Sequence, residues 1–400
     1  MKAGWKTEPI GEVCEIVNGG TPKTGVAEYW DGSHQWITPA EMGKRSTPYI
    51  GETARKLTDA GMANSSAQLL PPFSVILSSR APIGHLVINT VAMATNQGCK
   101  GLVPSKAIHH KFLYYYLTSI VGLLNELGTG ATFKELSGSK LKEVPVPIPP
   151  LPEQKRIVGI LDEAFEGIAT AKANAEKNLQ NARALFESYL QSIFTQGGED
   201  WVKTTLGDVC DFENGDRGKN YPNRTEYVES GIPWINTGHI QPDGTLSEID
   251  MNFITRKKYE SLRSGKIQPG DLVYCLRGAT LGKTAIVDPL TIGAVASSLV
   301  IIRPHKVLDT RFLYYFLTSP FGQSLIKLYD NGAAQPNLGA KSVAKYLIDL
   351  PKLPEQKTIS RKLDLLREET QHLESIYQQK LTALDELKKS LLNQAFTGEL

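Results

Sequence analysis

One feature limits this 400-residue chain more than any other: it is internally duplicated. Trp5–Gly19 reads WKTEPIGEVCEIVNG and Trp201–Gly215 reads WVKTTLGDVCDFENG, at a constant offset of 196. FLYYYLTS at Phe112–Ser119 returns as FLYYFLTS at Phe312–Ser319, offset 200, and LPEQK at Leu151–Lys155 returns at Leu353–Lys357, offset 202. The slow growth of the offset means small net insertions in the second copy. A repeat of this length predicts two domains of one fold, each followed by the same second element. Each copy, about 200 residues, is long enough to bury its own core.

The two halves of each copy differ in pattern. The globular halves carry short apolar runs broken by Gly and Pro: FSVILSS at Phe73–Ser79, HLVI at His85–Ile88, DLVYCL at Asp271–Leu276 and SLVIIRP at Ser298–Pro304. Such runs read as strands. The FLYY segments read as short helices that pack on them and give their aromatic rings to the core. The mixture predicts an α+β class. In the other halves, Pro152 suits the first turn of a helix. Apolar residues then recur at 4, 3, 4, 3 spacing: Ile157, Leu161, Ala164, Ile168, Ala171, Ala175, Asn178, Ala182, Leu185, Tyr189 and Ser192. The second copy repeats this from Ile359 to Gln394 at offset 202. This is the period of a coiled-coil seam. Asn178 and Lys380 interrupt it, with Leu179 and Leu381 placed to take over. A helix of about 40 residues is about 60 Å long, too long for one small domain to cover. The expected architecture is therefore two similar globular domains, 1–150 and 198–352, separated by two long antiparallel coiled-coil helices, 151–197 and 353–400, with pseudo-two-fold symmetry. The outer positions Phe165, Phe186, Ile193, Leu365, Ile376 and Phe396 leave room for partner helices.

Several function classes find little support. No run approaches the roughly 18 apolar residues of a membrane span, and MKAGWKTEPI lacks an apolar signal core, so a cytoplasmic protein is expected. Cys14, Cys99, Cys210 and Cys275 form no CxxC pair and read as reduced, semi-buried thiols rather than zinc ligands. Leu70-Pro-Pro-Phe73 resembles an amino-methyltransferase motif but lacks the polar first residue that accepts from the target amino group. Gly278-Ala-Thr-Leu-Gly-Lys-Thr284 is one residue short of a phosphate loop. His109-His110 has no metal spacing and reads as a solvated pair before a helix. No active site is expected in this chain. A net charge of +2 neither announces nor excludes a nucleic-acid partner.

What remains is a recognition surface. Arg80 and Arg277 each follow a strand and precede a Gly-containing turn. A guanidinium there suits a phosphate or a guanine edge; the alternative is an Arg bonded to local carbonyls. Ser79 precedes the first of them, and Lys283 lies in the turn after the second. Asn96 and Gln97 align with Ala296 and Ser297; amides suit adenine edges, or cap turns. Trp36 and Trp234 read as core, with Thr38 and Asn236 beside them as contact candidates. Lys134, in Gly130–Lys134, corresponds to the segment holding Gln335 and Asn337. Different polar groups at equivalent positions are what readers of two different sequences need.

In this duplicated order, the paired PxxLPEQ–helix segments, NQGCKGLVP at Asn96–Pro104, the FLYYYL/FLYYFL pair and the terminal AFTGEL resemble the DNA-specificity subunit of type I restriction–modification systems over essentially the whole length. The resemblance implies two target-recognition domains, each reading half of a bipartite double-stranded DNA site. It implies helices that set the spacing and bind two methyltransferase subunits, with restriction subunits joining afterwards. S-adenosylmethionine is then held by the methyltransferase and not by this chain. The second copy departs at Ala296-Ser297-Ser298, where the first has Asn-Gln-Gly. The competing reading is a coiled-coil scaffold with two protein-binding ends.

Overall fold

The computed structural model describes residues 4–45, 47–80, 82–130, 134–329 and 338–400. The chain divides into two compact units, Met1–Ala175 with Gln379–Leu400, and Glu176–Gln378. The divisions fall within two long helices, Leu151–Gln196 and Leu353–Thr397. Each unit therefore holds a globular part, the start of one long helix and the end of the other.

In the first unit, the strands predicted at Phe73–Ser79 and His85–Ile88 are Val75–Ser79 and Ile83–Asn89, and they sit in a five-stranded sheet. Its order is Cys14–Asn18, Cys99–Pro104, Val75–Ser79, Ile83–Asn89 and Tyr49–Ile50. A second, three-stranded sheet contains Trp30–Ile37 at its centre. The second unit repeats the first four strands as Cys210–Asn214, Leu299–Pro304, Leu272–Cys275 and Thr284–Ile286. Registers match: Val75 lies opposite Leu102, as Leu272 lies opposite Ile302. Val75 and Leu272 thus share one place, and so do Arg80 and Arg277, five residues on.

The FLYY segments form helices His110–Ser119 and Thr310–Thr318. Phe112, Leu113, Leu117, Phe312 and Leu313 are essentially inaccessible. Trp36 and Trp234 are 2% and 1% exposed, as core residues. The four cysteines are free, and all are fully buried rather than semi-buried. Burial pushes Cys14, Cys99 and Cys210 up to about 12.

LPEQK has a structural task that its sequence did not disclose. The Gln154 amide, fully buried, accepts from the His109 N–H (2.8 Å) and donates to the Ala107 and Pro149 carbonyls (2.9 and 2.8 Å). Gln356 does the same for Asp309, Val307 and Pro351. A buried amide with every bond made is inexpensive, whereas an unsatisfied one is costly. Each glutamine thus fixes the start of its long helix against the loop ahead of the aromatic helix. About two turns further on, Asp162 binds Lys111 and Tyr115, and Asp364 binds Arg311 and Tyr315.

The far ends of the long helices complete the same cores. In the first unit Phe396 meets Phe112 and Tyr116 edge-on, 5.1 and 5.2 Å between centroids. In the second, Phe194 meets Phe312 and Phe316 at 5.2 and 5.5 Å. Within each unit the helix segments are antiparallel. In the first, Arg156 donates to the Leu400 carbonyl and Lys172 pairs with Asp385; in the second, Arg183 pairs with Glu374.

The expected seam holds early and then slips. Ile157, Leu161, Ile168, Ala175 and Ala182 are buried, but Leu185 and Tyr189 are 55% and 40% exposed. Asn178 and Lys380 are exposed, with Leu179 and Leu381 partly buried beside them. A straight helix drifts by about 20° per heptad from a 3.5-residue repeat, so four heptads from Ile157 to Leu185 turn the pattern by about 80°. One residue advances it by about 100°, so the next residue faces inward. Phe186, Leu190, Ile193 and Phe194 accordingly pack on the second core, and Leu392, Ala395 and Phe396 on the first. Four of the six positions expected to be free for partner helices are therefore corrected. Phe186, Ile193 and Phe396 belong to the chain's own cores, and Phe165 packs on Tyr115 (5.4 Å) under Lys388. Leu365 and Ile376 remain 61% and 42% exposed.

Candidate nucleic-acid interface

The strand ends after Val75–Ser79 and Leu272–Cys275 hold the two candidate surfaces, one in each unit. Ser79 N–H donates to the Gly98 carbonyl and Ser79 O accepts from Leu136; Leu276 repeats this with Ser298 and Leu338. Those bonds fix the backbone from which Arg80 and Arg277 project.

In the first unit the predicted residues gather at one edge. Asn96 Nδ2 donates to Thr21 Oγ1 (2.9 Å), its Oδ1 accepts from Gly98 N–H (2.7 Å), and Thr21 donates to Gln97 Oε1. Gln97 is exposed, and so is Lys134. Arg80 forms an ion pair with Glu135 at 3.7 Å, and the two residues make a backbone bridge. Ser79 and Thr38 make local bonds of their own. Ser79 is fully buried and spends its hydroxyl on the Gly98 carbonyl (3.1 Å). Thr38 is a helix cap, its Oγ1 accepting from Glu41 N–H (3.4 Å), as Asn236 Oδ1 accepts from Gly238 N–H (2.8 Å). Asn236 still lines a 540 Å³ cleft with Trp234, Asn252 and Ser298.

In the second unit a cleft of 680 Å³ opens beside Arg277 and brings together Arg217, Arg263, Arg277 and Lys341 around one carboxylate, Asp216. Asp216 is 2% exposed. It accepts from the Arg217 and Arg263 N–H groups (2.7 and 2.8 Å) and from Arg263 Nη2 (3.2 Å), which also donates to the Arg217 carbonyl (2.9 Å). Burial alone would raise this carboxyl; the Arg263 and Arg217 bonds outweigh it and hold it below the usual range. Arg217 Nη2 donates to the Ser297 carbonyl at 3.3 Å. The side chains of Arg277 and Lys341 are exposed and make no hydrogen bond or ion pair among the described residues. Sequence reasoning found Arg277 and Ser297 here but missed Arg217, Arg263 and Lys341. Arg217 follows the second copy of the N-terminal repeat by two residues, and that nearness was the available signal.

Lys283 is displaced from this surface. It lines a different cleft with Phe186, Leu190 and Gln323, because the turn carrying it leads straight into strand Thr284–Ile286. The same turn explains why the phosphate-loop likeness fails, since a strand follows it where a phosphate loop needs a helix N-terminus. Gln335 and Asn337 lie outside the described residues. His109 and His110 are half-buried rather than solvated. Burial, with His109 and Lys111, lowers His110 to about 4, beside Phe73 at 4.9 Å.

The profile of the type I restriction modification DNA specificity domain matches residues 2–180 and again 198–383. The chain belongs to that family. This type I specificity chain is 26% identical over 413 residues to the type I restriction enzyme MjaIX specificity subunit of Methanocaldococcus jannaschii, covering 99% of this chain and 93% of that protein. Its fold matches a chain from a structure describing complex assembly and conformational transition of the type I R-M system (TM-score 0.78, 19% identity, 100% and 99% coverage). It also matches the HsdS subunit of Thermoanaerobacter tengcongensis (TM-score 0.65, 19% identity, 100% and 98% coverage). No helix among the described residues of the specificity chain is long and apolar enough to cross a membrane.

Proposed function

We propose that each globular domain reads one half of an asymmetric, bipartite double-stranded DNA site, and that the long helices set the distance between the halves and dock two methyltransferase subunits. The observation that carries this reading is the 680 Å³ cleft of the second unit, where four cationic side chains meet at a strand end whose counterpart in the first unit carries Arg80, Asn96 and Gln97. Cations that converge on one concave surface suit phosphates, and the fork of Arg or the amide of Asn suits base edges. Leu365 and Ile376, exposed on the second long helix, are the remaining candidates for methyltransferase contact. The chain itself supplies no catalysis; S-adenosylmethionine is bound by the methyltransferase, restriction subunits join the assembly, and the complex works in the cytoplasm.

Co-expression of the chain with its methyltransferase, followed by sequencing of modified adenines, tests this. The expected result is methylation confined to one two-part motif whose halves differ. Methylation without sequence preference, or none while the two proteins still associate, would favour the scaffold reading.

A further inference from the structure

The two recognition surfaces occupy equivalent places but carry different charge. By the repeat offsets, Arg217 stands where the first unit has Thr21, Asp216 where it has Gly20, and Lys341 where it has Ser139. Arg277 stands where it has Arg80, and here the partners differ as well. Arg80 is already paired with a carboxylate, Glu135. Arg277 has no such partner among the described residues, and beside it Lys341 is equally unpaired.

We infer that the two units grip DNA by different physics, the second through a phosphate clamp of Arg277 and Lys341 whose floor is set by Asp216, the first mainly through the neutral Thr21–Asn96–Gln97 network. This rests on the proposal that both surfaces face DNA. An unpaired cation that meets a phosphate releases condensed counterions, and each such contact steepens the dependence of log K on log salt by about 0.9. A guanidinium taken from a carboxylate leaves that carboxylate to be neutralised by salt, so the net release is small. Arg80 and Arg277 are therefore equivalent in place and unequal in effect.

Asp216 is a positioning residue in this scheme. Its carboxylate takes up the two Arg263 donors and the Arg217 N–H. Both hydrogens of Arg263 Nη2 are engaged, by Asp216 and by the Arg217 carbonyl, so that nitrogen holds the loop that carries Arg217 while the rest of the side chain stays largely exposed. Among the described residues this leaves Arg277 and Lys341 as the cations of the cleft whose side chains make no bond, beside Arg217, whose guanidinium meets only the Ser297 carbonyl.

The test uses the full chain with its methyltransferase subunits and a duplex carrying the mapped site, with affinity measured across salt concentrations. Arg277→Ala and Lys341→Ala should each make the slope shallower by about 0.9, and Arg277→Lys should restore it; Arg80→Ala should change it by under about 0.4. Equal slope changes for Arg80→Ala and Arg277→Ala would overturn the inequality. An unchanged slope with relaxed preference at one base would make Arg277 a base reader and overturn the clamp. If none of these variants alters binding while the parent complex still binds its site, the clamp is wrong and DNA recognition stands. If the parent complex shows no site preference, the proposed function itself has failed. Asp216→Asn separates positioning from charge by sign. Removing a negative charge from a DNA-facing cleft should tighten binding if charge alone matters, whereas loss of positioning weakens specific binding several-fold with the melting temperature as a folding check. Arg263→Lys, which keeps the charge but not the two-bond grip, should weaken specific binding in the same way, and tighter binding by either variant would overturn the positioning role.

Discussion

The sheet beneath the candidate interface has matching register over its shared strands in both units, yet its side chains solve different problems. In the first unit Val17 and Val103 lie partly buried against an apolar cluster, with Ser74 at the strand entry. The second unit puts Glu213, Arg303 and Asp271 in the corresponding places. Arg303 grips the 1%-exposed Asp271 with two bonds of 2.8 Å and approaches Glu213 at 3.6 Å. The tryptophans diverge too. Trp36 Nε1 donates to the Gly20 carbonyl at 2.9 Å and Arg55 lies 3.6 Å over the Trp30 ring, whereas Trp234 Nε1 has no partner among the described residues and Asn252 stands opposite Trp234. By contrast, the glutamine anchors make the same three bonds in both units, and Phe396 and Phe194 meet equivalent rings of the aromatic helices. Backbone pairing and helix docking fix the frame, and strand-end side chains are free to differ within it.

The sharpest way to break this comparison is to give the second unit the first unit's chemistry. Arg303→Val alone strands a buried carboxylate and should cost about 3–5 kcal/mol. The triple variant Glu213→Val, Asp271→Ser and Arg303→Val should recover most of that loss, because a well-packed apolar replacement of a buried ion network is often neutral or better. Urea unfolding of the three proteins would show it; a triple variant no more stable than the single one would mean the two frames are not interchangeable.

Next in size are the aromatic contacts. Phe194, 6% exposed, should cost about 3–5 kcal/mol as Phe194→Ala, and the half-buried Phe396 somewhat less. Hydrogen exchange should loosen Phe312–Ser319 in the first variant and Phe112–Ser119 in the second. Equal loosening of both segments by either variant would deny that each helix end serves its own core.

Gln154→Leu and Gln356→Leu probe what the units share. Each orphans the same three backbone groups and should cost about 1–3 kcal/mol, with closely matched values in thermal or chemical unfolding. A large disparity would place the anchor's role in one unit only.

The smallest effect is one of pH. The folded Asp216 carboxyl lies below its ordinary 3.8, so its contribution to stability is complete above that value and is lost as pH falls through the lowered one. Melting temperatures between pH 5 and about pH 2 should therefore fall more steeply for the parent protein than for Asp216→Asn. Gly20 holds the equivalent place in the first unit and offers no such group.

The elements that were legible in sequence are those with a strong local period. Val75–Ser79, Leu272–Cys275, the aromatic helices and the two long helices all fall where apolar spacing places them. Arg80 and Arg277 could be matched because a strand and a glycine turn flank both. The cationic cleft was harder to find, because Arg217, Arg263 and Lys341 are far apart in the chain and meet only through the fold. Lys283 misled because one residue's distance past a turn decides which cleft a side chain enters. The late half of the seam misled because a 3.5-residue pattern was extended along a helix that keeps closer to 3.6 residues per turn.

Phe396 and the Leu400 carbonyl belong to the first unit, whose other residues end at Ala175. On the ribosome this unit is begun before the second unit and completed after it. At about 5–20 residues per second, the roughly 200 intervening residues take about 10–40 s to make, and for that time Phe112 and Tyr116 wait without their closing ring. The second unit, continuous from Glu176 to Gln378, has no such wait. The unit that emerges earlier is therefore the one exposed longer to chaperones and proteases, and loss of residues 396–400 would damage a core built mostly from residues 1–175.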